Sequence, residues 1–116
     1  MIDRGEAQEP HSDIFNNEIR KGFLKVILLK IIQEKPTHGY EIIQKVSERS
    51  HGNWTPSPGS VYPALEYLES KGYISSEERD RKKVYTITPK GERAVEQMNN
   101  KRKELMSELI TFLGEI

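Results

Sequence analysis

The sequence predicts a mainly α-helical fold with one small β-hairpin, and three observations lead to this prediction. First, apolar residues recur at helical spacing in four segments, each bounded by proline, glycine or a capping residue. Second, the apolar period changes to two between residues 73 and 88, where β-branched and aromatic side chains favour strands. Third, 116 residues suffice for one domain, whereas a second would lack the chain to close its own core.

The composition narrows the class of protein. Apolar residues make up 34% of the chain and charged residues 31%, so much of it must be solvated, or a second copy must complete the core. The formal net charge is zero, so no global field attracts the protein to nucleic acid or membrane, and any basic function must be local. The absence of cysteine excludes disulfides, thiolate catalysis and cysteine zinc sites, and it suits a cytoplasmic protein.

Several other functions are not expected. The longest apolar run, FLKVILLKII, is interrupted by two lysines and is well short of the roughly 20 residues that span a bilayer. The opening MIDRGEAQEPHSD has acidic residues and no apolar core, which indicates a flexible tail rather than a secretory signal. His11, His38 and His51 lack the spacing of a metal site. No nucleophile with a base, carboxylate pair or phosphate loop is present, so we expect neither an enzyme nor a cofactor.

The first helix is predicted to begin near Ser12 or Asp13 and to end near residue 33 or 34. Its second half is apolar nearly all round, so it must be covered on more than one side.

The second helix follows Pro36, with Thr37 as its predicted N-cap and Glu41 near the positive end of its dipole. Its predicted buried stripe is Tyr40, Ile43 and Val46. In the turn-rich connector that comes next, Trp54 is expected to pack on the core.

The third helix lies in TPSPGSVYPALEYLESKGYI. Ser57 is a good N-cap, and Pro58 suits the first helical position because its fixed φ is already helical. Pro63 falls in the first turns, where its steric penalty is smaller than in the middle of a long helix. Gly72 is the predicted C-terminal stop. The predicted inner stripe is Val61, Ala64, Leu65 and Leu68.

A hairpin and a long helix complete the chain. Ile74 with Ser76 is predicted to form the first strand and residues 84–88 the second, with EERDRKK as the tip. Pro89 ends the hairpin, and the last helix is predicted from Lys90 to about Leu113.

An apolar seam runs along this last helix with alternating spacings of three and four, which is typical of a helix–helix contact. We predict that the seam is a contact with a partner helix; the alternative is a stripe packed on its own domain. Arg102 within it is interpreted as a snorkelling or register-setting cation, with ligand contact as the alternative. The predicted interface residues of this seam are Val95, Met98, Arg102, Leu105, Leu109, Phe112 and Ile116.

The order helix, helix, helix, hairpin, helix is that of a winged helix-turn-helix followed by a long C-terminal helix. In such a fold the third helix enters the DNA major groove with its N-terminal residues toward the bases. Gly59, Ser60 and Tyr62 keep the first turn slim and carry groups that bind phosphate, whereas Tyr67 is interpreted as a core tyrosine. The wing adds cations for the flanking DNA backbone, namely Arg79, Arg81, Lys82 and Lys83.

The segments KPTHGYEIIQKV, WTPSPGSVYPALEYLESKGYI and YTITPKG resemble the PadR family of winged-helix transcriptional regulators, over roughly residues 22–91. With a single C-terminal helix, the chain resembles the compact branch of that family. The resemblance implies a homodimeric repressor that binds a double-stranded DNA operator and dimerises through its first and last helices. This adds Phe23 and Ile27 of the first helix to the predicted dimer interface. Matching DNA-contact positions are Tyr40, Ser57, Gly59, Ser60, Tyr62, Lys82 and Lys83.

Two departures from the family pattern limit what the resemblance implies. The wing tip lacks the glycine common there and mixes Glu77, Glu78 and Asp80 among its cations. The last helix has no tryptophan, so the drug stacking of some compact members is not implied.

The sequence therefore predicts a flexible tail at 1–12, a winged-helix DNA-binding domain at 13–88 and a C-terminal dimerisation helix at 89–116. A small-molecule effector in the dimer space between the first and last helices is compatible with this organisation. A winged-helix protein–protein adaptor that does not read DNA stays open as the alternative, and the salt dependence of DNA binding separates the two. The full set of candidate DNA-binding residues is Thr37, His38, Tyr40, Thr55, Ser57, Gly59, Ser60, Tyr62, Arg79, Arg81, Lys82 and Lys83.

Overall fold

The computed structural model describes the backbone of residues 10–114 and the side chains of residues 20–114. Within this range the chain forms four helices and one small antiparallel sheet with the strand order β1-β3-β2. The mainly α-helical fold with a hairpin is therefore confirmed. The elements are α1 (Pro10–Glu34), β1 (Thr37–His38), α2 (Gly39–Arg49), α3 (Pro58–Ser70), β2 (Ile74–Arg79), β3 (Lys82–Ile87) and α4 (Pro89–Leu113).

Helix α1 begins at Pro10, slightly before the predicted start, and ends at Glu34 as predicted. Residues 1–9 of the predicted tail lie outside the described residues, and so does Ile116 of the predicted interface. The second half of α1 is covered on several sides, because consecutive residues such as Leu28, Leu29, Ile31 and Ile32 are all buried. The expectation drawn from its all-round apolar surface is confirmed.

The segment before α2 differs from the prediction, because Thr37 is not the N-cap. Thr37 and His38 form the short strand β1, which pairs with Tyr85 and Val84 of β3. The sheet thus holds this segment extended, and α2 begins at Gly39 with His38 at the N-cap position. The predicted stripe of α2 is also shifted, since Ile42 is buried with Val46 while Tyr40 is 62% exposed.

Helix α3 has the predicted boundaries and buried face. The side-chain oxygen of Ser57 accepts a hydrogen bond from the backbone N–H of Ser60, and Pro58 occupies the first turn. Gly72, with φ of +82°, follows the end of the helix, and the N–H of Tyr73 donates to the carbonyl of Leu68. The predicted inner stripe, Val61, Ala64, Leu65 and Leu68, is entirely buried.

Three elements meet where the wing joins α4. Thr88 caps α4 by accepting from the N–H of Gly91, and its hydroxyl donates to the carbonyl of Gly72 at 2.6 Å. The Lys90 ammonium donates to the carbonyl of Lys71 at 2.6 Å. Gly91 is required here, because an added Cβ would overlap the carbonyl of Tyr73. These contacts join the end of α3, the base of the wing and the start of α4.

The connector between α2 and α3 is held against the core as predicted. Trp54 is partly buried and packs on the core cluster, and the guanidinium of Arg20 lies 5.4 Å from the centre of its ring. The hydroxyl of Ser50 accepts from the N–H of Trp54 and lies 3.0 Å from its carbonyl oxygen. Among residues 10–114, no helix has the length and apolar character needed to cross a membrane.

Candidate nucleic-acid interface

A surface groove of about 450 Å³ lies between the start of α2, the exposed face of α3 and the wing. We call it the wing groove. Six of its lining residues belong to the DNA-binding set predicted from the sequence, and the groove brings together side chains from three separate parts of the fold. It is lined by His38, Gly39, Tyr40, Tyr62, Glu66, Arg81, Lys82, Lys83 and Tyr85.

Tyr62 is positioned by close packing on Gly39. A Cβ at residue 39 would lie 2.6 Å from Cε1 of Tyr62 and 2.7 Å from its hydroxyl oxygen, so glycine is the residue that lets the ring lie there. The ring nevertheless leaves 42% of Tyr62 exposed, which keeps its edge and hydroxyl available to a ligand in the groove. The glycine of the HGY sequence therefore has a packing role that supports the predicted contact residue.

The first turn of α3 presents small polar groups to solvent. Ser57, Gly59 and Ser60 are all exposed, and the Ser57 hydroxyl donates to Oγ of Ser60 at 3.2 Å. A Cβ at Gly59 would find one neighbouring heavy atom, Oγ of Ser57, at 3.8 Å, so packing alone does not require glycine there. Its missing side chain instead leaves the backbone of this turn open to a bulky ligand.

Thr37, a predicted DNA contact, does not line the wing groove. The residue is 4% exposed because strand β1 lies against β3, and its hydroxyl donates to Oε1 of Glu41 at 2.8 Å. That hydrogen bond, more than any other contact, keeps the pKa of Glu41 below its ordinary value. Nε2 of His38, which lines the groove, lies 3.6 Å from the same carboxylate oxygen.

The wing is longer and its tip tighter than predicted. Strands β2 and β3 pair up to Arg79 and Lys82, so the tip is the two residues Asp80 and Arg81 rather than the whole EERDRKK segment. Their φ angles of 51° and 68° are those that a two-residue hairpin turn requires. Neither is glycine, so each residue is held in a conformation that costs about 1 kcal/mol or more.

The four wing cations are not equivalent. Arg79 forms an ion pair with Glu77 and does not line the groove. Lys83 lines it but also lies 4.0 Å from the carboxylate of Glu69. Arg81 and Lys82 line it too, and no acidic partner is found for them among the side chains of residues 20–114.

Tyr85 forms the apolar floor of the groove. It is 3% exposed, and burial, assisted by the nearby Glu69 carboxylate, raises the pKa of its phenol. Tyr85, Gly39 and Glu66 were missed by sequence reasoning, although Glu66 follows Tyr62 by one helical turn and that spacing places both on one face. Thr55, a predicted contact, is exposed but does not line the groove.

A second exposed surface follows α4 and was predicted as the dimer interface. Phe23 is 57% exposed, Leu105 52%, Leu109 48% and Phe112 88%. Arg102 is also exposed, and Met106, Ile110 and Leu113 widen the apolar surface. We call the exposed apolar residues of α4 from 105 to 113 the α4 stripe.

The start of the predicted seam lies inside the chain's own core. Val95 is 3% exposed, and Met98 and Ile27 are half-buried against the same core. Val95, a predicted interface residue, therefore leaves almost no exposed surface on the single chain. The physical reason is that the first turns of α4 pack on α1 before the helix extends away from the domain.

Comparison with known proteins gives the same fold. Residues 28–97 match the family described as "Transcriptional regulator PadR-like family". The "Transcriptional regulator YqjI" of Escherichia coli (strain K12) is 36% identical over 90 residues, which are 77% of this chain and 43% of that protein. The chain thus spans less than half the length of this curated relative.

Two solved structures are also similar. A transcriptional regulator from Clostridium thermocellum has a TM-score of 0.73 at 27% identity, covering 84% of this chain and 96% of that one. Bacillus subtilis PadR in complex with operator DNA has a TM-score of 0.57 at 25% identity, covering 64% of this chain and 45% of that one.

Proposed function

The chain belongs to the PadR-like family of transcriptional regulators, and we propose that it is a dimeric, sequence-specific DNA-binding repressor. The observation that carries the proposal is the wing groove, where Tyr40, Tyr62 and the cations of the wing converge beside α3. Hydroxyl and cationic groups on a concave surface suit a phosphodiester strand. The similar B. subtilis PadR, solved with operator DNA, supports the assignment of this surface to DNA.

In this proposal residues 13–88 form the DNA-binding unit, with α3 in the major groove. The open first turn of α3 contacts phosphates through Ser57, Gly59 and Ser60, and Tyr40 and Tyr62 add hydroxyls. Arg81, Lys82 and Lys83 contact the flanking backbone from the wing. A zero net charge does not oppose this role, because the lining of the groove holds three of these cations against one carboxylate, that of Glu66.

Residues 89–116 serve as the dimerisation segment in the same proposal. The α4 stripe leaves five large apolar side chains half-exposed and Phe112 88% exposed, and a single chain gains nothing from exposing them. Packing against the α1 and α4 helices of a second copy, with Phe23 included, would remove this surface from water. A two-fold dimer then matches an operator with two half-sites related by the same symmetry.

We further propose that a small molecule releases the repressor from DNA. Support comes from a cavity of about 360 Å³ between α1, α3 and α4, lined among others by Lys25, Tyr67, Met98 and Lys101. A ligand bound there would contact α1 and α4, which carry the proposed dimer interface, and also α3, which is proposed to enter the major groove. Because a repressor must reach its operator, we place the protein in the cytoplasm.

The test is fluorescence anisotropy of the protein with two duplexes over a salt series. One duplex is the DNA upstream of its own coding region, and the other is a scrambled sequence of the same composition. The proposal expects tighter binding to the first and a logarithmic salt slope of about −0.9 for each phosphate contacted. Absence of DNA binding at any salt would contradict it and favour the adaptor function, which needs no phosphate contact.

A further inference from the structure

Helix α3 carries an unusual set of side chains for an element that enters the major groove. Between Pro58 and Ser70 it contains no arginine, lysine, asparagine, glutamine or histidine. Arginine and lysine are the residues that read guanine by paired hydrogen bonds, and asparagine and glutamine are those that read adenine. The helix therefore lacks the usual side-chain donors, and its specificity for bases must come from acceptors, hydroxyls or apolar contacts.

Glu66 is the carboxylate of α3 that faces the DNA side. It lies one helical turn after Tyr62, is exposed, and lines the wing groove with Arg81 and Lys82. The other carboxylate of α3, Glu69, is engaged inside the molecule, since it accepts from the Ser76 hydroxyl at 2.6 Å and lies 4.0 Å from Lys83. For Glu66, the described side chains provide no hydrogen-bond or ion-pair partner.

An uncompensated carboxylate in a phosphate-binding groove weakens binding by repulsion. That cost is offset when the carboxylate accepts a hydrogen bond from a base, and the amino group of cytosine is the donor that Glu and Asp accept from in the major groove. We propose that Glu66 determines specificity by accepting a hydrogen bond from the N4 amino group of a cytosine in each operator half-site. The inference rests on the proposed function, because it presumes that α3 enters the major groove.

The proposal also accounts for the rest of the exposed row of α3. Gly59 and Pro63 offer no polar side-chain group, and Ser60, whose Oγ accepts from the Ser57 hydroxyl at 3.2 Å, is assigned to phosphate in the proposed function. Tyr62 packs over Gly39 and lines the groove, and in the proposed function its hydroxyl is assigned to phosphate. Glu66 is thus the ionisable side chain of this row that can reach a base edge from the exposed face of α3.

The test is selection of duplexes from a random pool by the full chain, followed by affinity measurements on single-base variants of the selected operator. Wild type is compared with Glu66→Ala, with Glu66→Gln, and with Glu96→Gln as a control that removes an exposed carboxylate on α4, outside the groove. Glu66→Gln keeps the shape of the side chain, so it carries the test even if Glu66→Ala folds poorly.

We expect the wild type and Glu96→Gln to select the same cytosine in each half-site and to lose about tenfold affinity or more when that C·G pair becomes T·A. Glu66→Ala should lose this preference. Glu66→Gln should shift it toward adenine, because glutamine pairs with the N6 and N7 edge of that base. Both Glu66 variants should bind a scrambled duplex about two- to fivefold more tightly, since the repulsion of phosphate is gone.

Two results would overturn the inference, and they are distinguishable. If the Glu66 variants select the same bases as wild type at every position, Glu66 does not read a base, although the protein is still a DNA-binding regulator. If wild type enriches no sequence and binds no duplex, the proposed function fails and the role of Glu66 fails with it.

Discussion

The ring of Tyr62 on α3 lies against the α-carbon of Gly39 on α2, so that a single added methyl group at residue 39 would stand 2.6 Å from the ring. This packing holds the side chain where it lines the wing groove. It also ties the start of α2 to the first turns of α3, which are the two elements that present hydroxyl groups to the groove.

Gly39→Ala should displace the Tyr62 ring and weaken both stability and DNA binding. We expect a loss of about 1–3 kcal/mol in the free energy of unfolding from overpacking, measured by urea denaturation. Gly22→Ala is the control, because that position has open space and the change should stabilise α1 by about 0.5–1 kcal/mol. Adding Tyr62→Ala to Gly39→Ala should restore part of the lost stability; no recovery would show that the clash lies elsewhere.

The hydroxyl of Tyr62 should contribute to DNA affinity. Tyr62→Phe keeps the ring over Gly39 and removes one hydrogen-bonding group, so we expect about 0.5–1.5 kcal/mol weaker operator binding with little change in melting temperature. Tyr67→Phe is the matched control, since Tyr67 is 45% exposed on the same helix but does not line the groove. Equal operator affinities for Tyr62→Phe and wild type, measured by anisotropy, would remove this hydroxyl from the interface.

Arg81→Gly should change stability and DNA binding in opposite directions. Glycine relieves the positive φ of 68°, so the melting temperature should rise slightly. Removing the cation should weaken DNA binding and make the salt slope shallower by about 0.9 for each phosphate that Arg81 neutralises. Arg79→Ala, which removes a cation paired with Glu77 outside the groove, should leave the salt slope nearly unchanged. An unchanged slope in Arg81→Gly would show that the wing tip does not touch the backbone.

The α4 stripe should control the oligomeric state. Leu109→Glu places a charge in the middle of the stripe and should give a monomer by light scattering, with weakened operator binding because two half-sites are no longer held together. Thr111→Glu adds the same charge about 200° farther round the helix and should leave the dimer intact. A wild-type chain that stays monomeric at micromolar concentration would contradict the proposed interface.

The pair Glu34–Arg49 should make a small, pH-dependent contribution to stability. The Arg49 guanidinium donates to the Glu34 carboxylate and, as the leading cause, holds the pKa of Glu34 below its ordinary value. A folded-state pKa that is lowered stabilises the fold above the unfolded pKa of about 4.3, and this stability is lost as the pH falls through the folded value. Since both side chains are more than a third exposed, Glu34→Gln should cost only about 0.5 kcal/mol at pH 7.

The difference between Glu34→Gln and wild type should therefore shrink below about pH 4.3. Urea denaturation at pH 7 and at several lower pH values measures it. Glu48→Gln, an exposed neighbour on α2, serves as the control and should show less pH dependence. A constant difference across the whole range would mean that Glu34 acts through packing rather than charge.

Local chemistry explains why most of the fold was predictable. Ser57, Pro58, Gly72 and Pro89 fix helix ends through backbone geometry that depends on near neighbours, and these boundaries are confirmed. Strand β1 was missed because a two-residue strand has no period of its own and exists only through its pairing with β3, far along the chain. The same non-local pairing explains why Thr37 was wrongly assigned as the N-cap of α2.

The sequence predicted only part of the site, because the residues that were missed depend on contacts between distant parts of the chain. Tyr62 and the wing cations stand out from turn chemistry and charge, whereas Gly39, Glu66 and Tyr85 join the groove through tertiary packing of three elements. Val95 was placed in the dimer seam because heptad spacing alone does not reveal where a helix leaves its own core. The periodicity identified which face of α4 is apolar, but not the residue at which that face leaves the core and becomes exposed.

The interactions of Thr88, Lys90 and Gly91 have a mechanical consequence. They fasten the first turn of α4 to the carbonyls of Gly72, Lys71 and Tyr73, which belong to the end of α3 and the base of the wing. The first turn of α4 is thus joined to α3 and to the wing, so a tilt of the far end of α4 rotates all three elements together. At about 1.5 Å per residue, α4 is close to 37 Å long, so a tilt of about 5° moves its C-terminal end by roughly 3 Å. In the proposed dimer, the angle at which the α4 helices of the two copies cross would therefore set the distance between the two α3 helices.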